Sequence, residues 1–247
     1  SKAKFLETIY KHEVATGERF TWHPRTFTTE RAGEKLTALA EAEAEPEAVW
    51  IIKPSRGNGG KGIELVKGVE DLKNFLFPPA VDLAAHCRSE GEDHEQQALG
   101  PPPMEGWVVQ RYIQEPLLLQ GRKFDIRAYC LVARTTPHLW FFHPGYCKVA
   151  FEPYDPSALT NRFMHLTNAC VQKSHPQFGQ KLRGKHIWSL SEAEEDVRSS
   201  GCWVGEEGSF WPQLHHEMKL VLACIFRASV GLLERRRGYF DLWGVDF

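Results

Sequence analysis

The sequence predicts a mixed α/β fold of the α+β kind, with much antiparallel sheet. Three observations carry that expectation. Short runs rich in β-branched and aromatic residues recur along the chain, and helical patterns stand between them. One long stretch near the end repeats its apolar residues at helical spacing. At 247 residues the chain has room for one large domain or two small ones. Its content of 42% hydrophobic and 25% charged residues is ordinary for a globular protein and excludes collagen, coiled coil and disorder throughout.

In chain order, the first break in the packed pattern falls at Glu41–Glu47, where glutamates alternate with alanine and proline. Val49–Lys53 and Ile63–Val66 read as strands and Glu70–Phe77 as a helix. Pro78–Gly106 is unlike its surroundings: prolines stand at both ends and Glu90, Glu92, Asp93 and Glu95 between, with few large apolar residues after Leu83. It reads as an inserted, mobile loop that the fold can spare. Trp107–Tyr112, Phe124–Val132, Leu139–Phe142 and Tyr146–Phe151 read as strands, and the acidic Ser189–Ser200 as a short surface helix or loop. The clearest helix is Gln213–Arg237, with Leu214, Met218, Val221, Leu222, Ile225, Leu232 and Leu233 on its apolar positions. Ser209 could cap it, Pro212 suits its first turn, and Arg235–Arg237 with Gly238 suit its end. A last strand is expected over Tyr239–Phe247.

Charge and composition narrow the function classes. A net charge of −2 from 30 basic and 32 acidic residues gives no global field for nucleic acid. No apolar run reaches the roughly 18 residues of a membrane span, and Ser1–Tyr10 has no signal-peptide core. The six cysteines stand far apart, so neither a zinc site nor a disulfide framework is expected. The expectation is a cytoplasmic protein with no nucleic-acid or membrane partner, acting as a monomer.

Several segments could carry chemistry. In Trp50–Val66 a strand ends at Lys53, and a loop with Gly57, Gly59, Gly60, Lys61 and Gly62 leads into a second strand. Glycines let backbone amides approach phosphate oxygens, while Lys53 and Lys61 supply full charge. The spacing is not that of a Walker loop, and a glycine-rich hairpin turn without ligand is the other reading. Along Phe124–Val132 the period of two puts Lys123, Asp125 and Arg127 on one face, opposite Phe124, Ile126 and Ala128. Three charges together suit a polyanion and its metal; a solvated face with a cross-strand ion pair is the alternative. Lys148 lies in a strand with apolar Cys147 and Val149 opposite, His165-Leu166-Thr167-Asn168 is a compact polar cluster, and Asp246 follows an apolar strand.

Together these segments resemble the tubulin–tyrosine ligase-like family of ATP-dependent amino-acid ligases. The matching pieces are WIIKP with GGKGI, VVQRYIQEPLLL, GRKFDIR, EPYD, HLTN with VQK, and YFDLWGVDF, covering most of Val49–Phe247. GRKFDIRAY, the TTPHLWFF run, YDP and GYFDL look most like the polyglycylase branch. The resemblance implies an ATP-grasp fold, mixed and antiparallel sheets flanked by helices, with the nucleotide between two lobes. It divides the chain into the end of an N-terminal region (1–47), a central lobe (48–115) and a C-terminal lobe (116–247).

The resemblance also implies roles. Lys53, Lys61 and glycines 59, 60 and 62 would face the ATP phosphates. Gln110, Tyr112 and Ile113 would line the adenine pocket, and Lys123 would reach the nucleotide. Asp125 and Arg127 would line the phosphate and acceptor side, and Lys148, at a position usually arginine in the family, would contact the γ-phosphate as a point charge. His165, Thr167 and Asn168 would border the substrate and ribose, and Asp246 would bind Mg²⁺. In the family an acceptor carboxylate attacks the γ-phosphorus, and an amino acid's amine then displaces phosphate from the acyl phosphate. The implied partners are tubulin's glutamate-rich C-terminal tails or another acidic protein, and a free amino acid, glycine favoured. Arg122, Arg127, Lys181, Arg183 and Lys185 could receive an acidic tail. Microtubules of the cytoskeleton, in a cilium or flagellum, would be the setting. The family's metal site also uses a glutamate and an asparagine after the aspartate, and the sequence stops one residue past Asp246, so this stretch alone is expected to be inactive. Tyrosine or glutamate ligation, a non-catalytic microtubule-binding module and an ATP-grasp ligase for a small molecule are the alternatives.

Overall fold

A computed structural model describes residues 1–78, 106–179, 185–203, 206, 208 and 210–247. The inserted-loop expectation for 79–105, the cap at Ser209 and the basic residues Lys181 and Arg183 lie outside the described residues. In chain order the elements are α1 (Lys2–Thr16), β1 (Thr26–Thr28), α2 (Ala32–Ala44), β2 (Val49–Pro54), β3 (Glu64–Lys67), α3 (Gly68–Leu76), β4 (Trp107–Arg111) and β5 (Leu118–Leu119). Then come β6 (Arg122–Thr135), β7 (His138–Val149), α4 (Arg162–His165), α5 (Ala169–Lys173), β8 (Ile187–Trp188), α6 (Leu190–Ser199), α7 (Phe210–Ser229) and β9 (Asp241–Asp246). The class is the expected one: mixed α/β, with antiparallel sheets flanked by helices.

The chain divides into two compact units, residues 1–3, 23–57 and 62–113 in one, and 4–22, 58–61 and 114–247 in the other. The first holds a four-stranded sheet in the order β1-β4-β2-β3. Trp50 and Ile52 of β2 are fully buried against Ala38 and Ala42 of α2 and Leu72 and Leu76 of α3. The break expected at Glu41–Glu47 is corrected here, because α2 runs on to Ala44. Alanine and glutamate are strong helix formers, and Ala38 and Ala42, one turn apart, give the helix a flat face for the sheet.

The second unit holds a sheet in the order β5-β6-β7-β8, with β9 also paired to β6. Ile126, Ala128, Cys130 and Val132 of β6 point to one side, where α6 and α7 cover them with Ala193, Val197, Trp211, Met218, Leu222 and Phe226. The acidic stretch from Ser189 is a helix: the Ser189 hydroxyl accepts the Glu192 amide, and the Glu192 carboxylate accepts the Ser189 amide.

The largest departures from the expected boundaries are in β7, the long helix and the final strand. The two expected strands from Leu139 and from Tyr146 are one strand, β7, which ends at Val149 short of Phe151, because Pro144-Gly145 is absorbed as an irregularity opposite Arg127–Tyr129 rather than ending the pairing. The long helix stops at Ser229 instead of Arg237. The Ser229 hydroxyl bonds back to the Ile225 carbonyl, and Val230 and Leu233 turn onto the Cys130–Val132–Leu222 cluster. The final strand starts at Asp241, where pairing with Val132 begins. No described helix is long and apolar enough to cross a membrane.

Candidate active site

The face of the second sheet opposite its core carries charge. Alternation along β6 sends Asp125 and Arg127 to that face, and β7 and β9 bring Lys148 and Asp246 beside them, Asp125 opposite Lys148 and Arg127 opposite Asp246. Arg127 grips Asp246 with two hydrogen bonds, Nε to Oδ1 at 2.6 Å and Nη2 to Oδ2 at 3.0 Å. Lys148 is only 4% exposed, and its ammonium lies 2.9 Å from Asp246 Oδ1 and 3.5 Å from Asp125 Oδ2. Burial alone would raise the Asp246 carboxyl, and the hydrogen bonds from Arg127 and Lys148 outweigh it and hold it below the ordinary value. Asp125 in turn accepts a hydrogen bond from the buried Thr167 hydroxyl.

Thr167 belongs to the polar cluster that precedes α5. Its backbone is held by Gln172, which is fully buried and saturated: the Gln172 carbonyl accepts the Phe151 amide at 3.0 Å, and its NH₂ donates to the Leu166 carbonyl at 2.6 Å and the Phe163 carbonyl at 3.3 Å. His165 is buried, with Nε2 3.1 Å from the Ala158 carbonyl and its ring edge-on to Tyr154. Burial pushes its pKa down. Asn168 lies beside Gly60. A Cβ on that glycine would sit 3.0 Å from Asn168 Oδ1 and 2.6 Å from Val171 Cγ2, and its φ of +77° is left-handed. Arg162 also donates to the Gly60 carbonyl, so Asn58–Lys61 packs on α4 and α5 within this unit.

In the first unit, Lys53 Nζ donates to Gln110 Oε1 at 2.7 Å, and Gln110 Nε2 donates to Thr26 Oγ1 at 2.8 Å. Tyr112 is buried, and its amide bonds to the Val49 carbonyl at 2.9 Å. Ile113 is exposed. Gly62 turns with φ +66° against Pro54.

The structure thus joins Asp125, Arg127, Lys148, Thr167 and Asp246 in one cluster, and Gly59, Gly60 and Asn168 in a second. Lys123, expected beside Asp125, lies close enough to His165 to disfavour its protonation. Lys61 is exposed. Sequence reasoning missed Arg162, Gln172, Tyr129 and Tyr146. The signal for Tyr129 was there, two residues beyond Arg127 on the same strand face; Arg162 and Gln172 are distinguished only by tertiary contacts.

Among the described residues no group of three or more His, Cys, Asp or Glu is placed to hold a metal ion. Asp125 and Asp246 share Lys148, and with Arg127 present the cluster is formally neutral. Such a donor set does not fit a cation held by the protein alone. It fits Mg²⁺ that arrives on a nucleotide, since that ion takes one or two carboxylates and completes its shell with phosphates and water.

The sequence profile of the tubulin-tyrosine ligase family matches residues 2–247. The chain is 36% identical over 204 residues to the protein polyglycylase TTLL10 of Macaca fascicularis, covering 81% of this chain and 31% of that protein. It is equally similar, 36% over 204 residues and 28% of the relative's length, to a Homo sapiens protein described as inactive polyglycylase TTLL10. To the probable alpha-tubulin polyglutamylase Ttll1 of Tetrahymena thermophila it is 34% identical over 170 residues, 68% of this chain and 37% of the relative. The chain spans roughly a third of the length of these relatives. With the profile covering almost every residue and the motifs from WIIKP to GVDF in order, the chain belongs to the tubulin-tyrosine ligase family.

Proposed function

We propose that this chain is the core of an ATP-dependent ligase. It would join an acceptor carboxylate on a glutamate-rich protein tail, tubulin's in the first instance, to the amine of an incoming amino acid, with glycine preferred. The observation that supports it most is the ion-pair cluster of Asp125, Arg127, Lys148 and Asp246 on adjoining strands. Positive charge fixed in place lowers the cost of bringing a carboxylate to a phosphate, and it needs no reorganisation during reaction. Arg127 would orient the reacting carboxylate, and Lys148 would hold a buried positive charge beside it. ATP would supply the phosphoryl group that activates the acceptor. Asp246, with Asp125 near it, would be the protein's donors to the nucleotide's Mg²⁺. Lys53 and the glycine-rich stretch would hold phosphates; Gln110, Tyr112, Ile113 and Lys123 would flank the nucleotide, and His165, Thr167 and Asn168 the ribose and substrate. The preference for glycine draws on the polyglycylase relative, and a microtubule setting in cytoplasm or cilium follows from that substrate.

A second reading, a binding module that keeps the fold without ligation, is favoured by the human relative described as inactive. One experiment separates them. The full-length protein is offered radiolabelled glycine, glutamate or tyrosine with ATP, Mg²⁺ and tubulin. Glycine incorporation is expected, and Arg127→Ala should abolish it with the fold intact. Incorporation of glutamate or tyrosine alone would change the amino acid assigned. No incorporation despite nucleotide binding would establish the module.

A further inference from the structure

Part of the glycine-rich stretch is held in place by the protein itself. Residues 58–61 belong to the second unit, as do α4 and α5. Gly59 and Gly60 both stand in the left-handed region, at φ +64° and +77°. A Cβ on Gly59 would come 3.3 Å from Cys170 Sγ, and one on Gly60 would come 2.6 Å from Val171 Cγ2. The close approach of α5 therefore calls for glycine here, whatever binds later. From α4, the Arg162 guanidinium donates to the Gly60 carbonyl.

Arg162 stands on a braced turn. The Asn161 side chain accepts the Phe163 amide at 3.0 Å and donates to Glu152 Oε2 at 2.7 Å. The buried Gln172 side chain of α5 donates to the Phe163 and Leu166 carbonyls, which ties α4 to α5. Arg162 itself is exposed, so it adds little to the core. What it fixes is one peptide plane. In a planar trans peptide the carbonyl and the following amide point opposite ways, so holding the Gly60 carbonyl turns the Lys61 amide away from Arg162. Among the described residues that amide has only a long contact, 3.4 Å to the Asn58 carbonyl. It keeps its capacity as a donor to an anion. Adjacent glycines lose much conformational freedom when they are ordered, and a loop ordered in advance spares a ligand that loss.

We propose that Arg162 is a positioning residue for the nucleotide: it orders residues 58–61 before binding and aims the Lys61 amide at a phosphate group. This rests on the ATP-dependent reading above. Arg162 acts through the loop and need not touch the nucleotide.

The test uses full-length protein, with ATP and Mg²⁺ followed by calorimetry and adenosine by saturation-transfer NMR. Arg162→Met keeps the aliphatic stem and removes the donors. It should weaken ATP by about tenfold, the scale of one lost charge-assisted contact, and leave adenosine and the melting temperature unchanged. Without nucleotide, the amides of residues 58–61 should exchange faster in the variant than in the parent. Arg162→Lys keeps a charged donor and should recover most of the ATP affinity; it also carries the comparison if the methionine variant fails to fold. Unchanged ATP affinity, or equal losses for ATP and adenosine, would overturn the proposal. So would weaker ATP binding with unchanged exchange, which would place Arg162 directly on the ligand, and so would a parent that binds no ATP. If the expected losses appear but the parent ligates nothing, the positioning role stands and the ligase reading falls.

Discussion

Gly145 of β7 lies so close to the carbonyl oxygen of Arg127 that a Cβ at that position would run into it, and its φ of +73° is left-handed. The pairing of β6 and β7 shifts register between Arg127 and Tyr129, and Gly145 is the residue that lets the two backbones meet there. A glycine on one strand thus sets the position of the arginine on the next.

Gly145→Ala should therefore be costly, about 3 kcal/mol or more, since left-handed strain and a backbone collision add. Gly121→Ala is the control, because Gly121 has φ +70° with nothing within 4 Å of its Cβ position. It should lose only the strain, about 1 kcal/mol. Urea denaturation of both variants checks this, and equal losses would remove the Gly145–Arg127 contact as a cause.

Asp246→Asn should lower stability at pH 7 by about 1–2 kcal/mol, a modest figure because the carboxylate is partly exposed. The folded pKa of Asp246 lies below the ordinary value of 3.8, so its ionised form stabilises the fold above that pH. That contribution disappears as pH falls through the folded value. The gap between parent and variant should close below about pH 3.8, and a gap that persists at lower pH would assign the loss to packing.

Lys53→Ala should weaken ATP binding by about 1.5–3 kcal/mol, the scale of a charge-assisted hydrogen bond. Calorimetry with a full-length parent that binds measurably is the check. Unchanged affinity would leave Lys53 with a structural role only, its bond to Gln110 included.

Thiol labelling should separate the cysteines. Burial, with the nearby Asp125 charge adding, pushes the Cys147 thiol up to about 12, whereas Cys170 is exposed. At pH 8 an alkylating reagent should modify Cys170 in the native protein and reach Cys147 only on unfolding. Mass spectrometry of the labelled peptides reads this directly.

The sequence alone determined the elements whose pattern is local. Period-two alternation over β6 put Asp125 and Arg127 on one face and Ile126 and Ala128 on the other, and that division is what the structure has. The apolar spacing from Leu214 to Ile225 marked α7. Local pattern misled where a neighbour decides the outcome. Glu41–Ala44 looked like a break because its charge is visible in sequence, while the Trp50 surface that receives Ala38 and Ala42 is not. Pro144-Gly145 looked like a strand end because the partner carbonyl that makes glycine fit there belongs to another strand. The site divides in the same way. Its residue types and strand faces could be read in order along the chain, but Asp246 and Arg127 are 119 residues apart, and only pairing of β9 with β6 makes them a hydrogen-bonded fork. Whether a lysine such as Lys148 is solvated or buried against two carboxylates depends on which strands flank it, a property of the assembled sheet that alternation within one strand cannot carry.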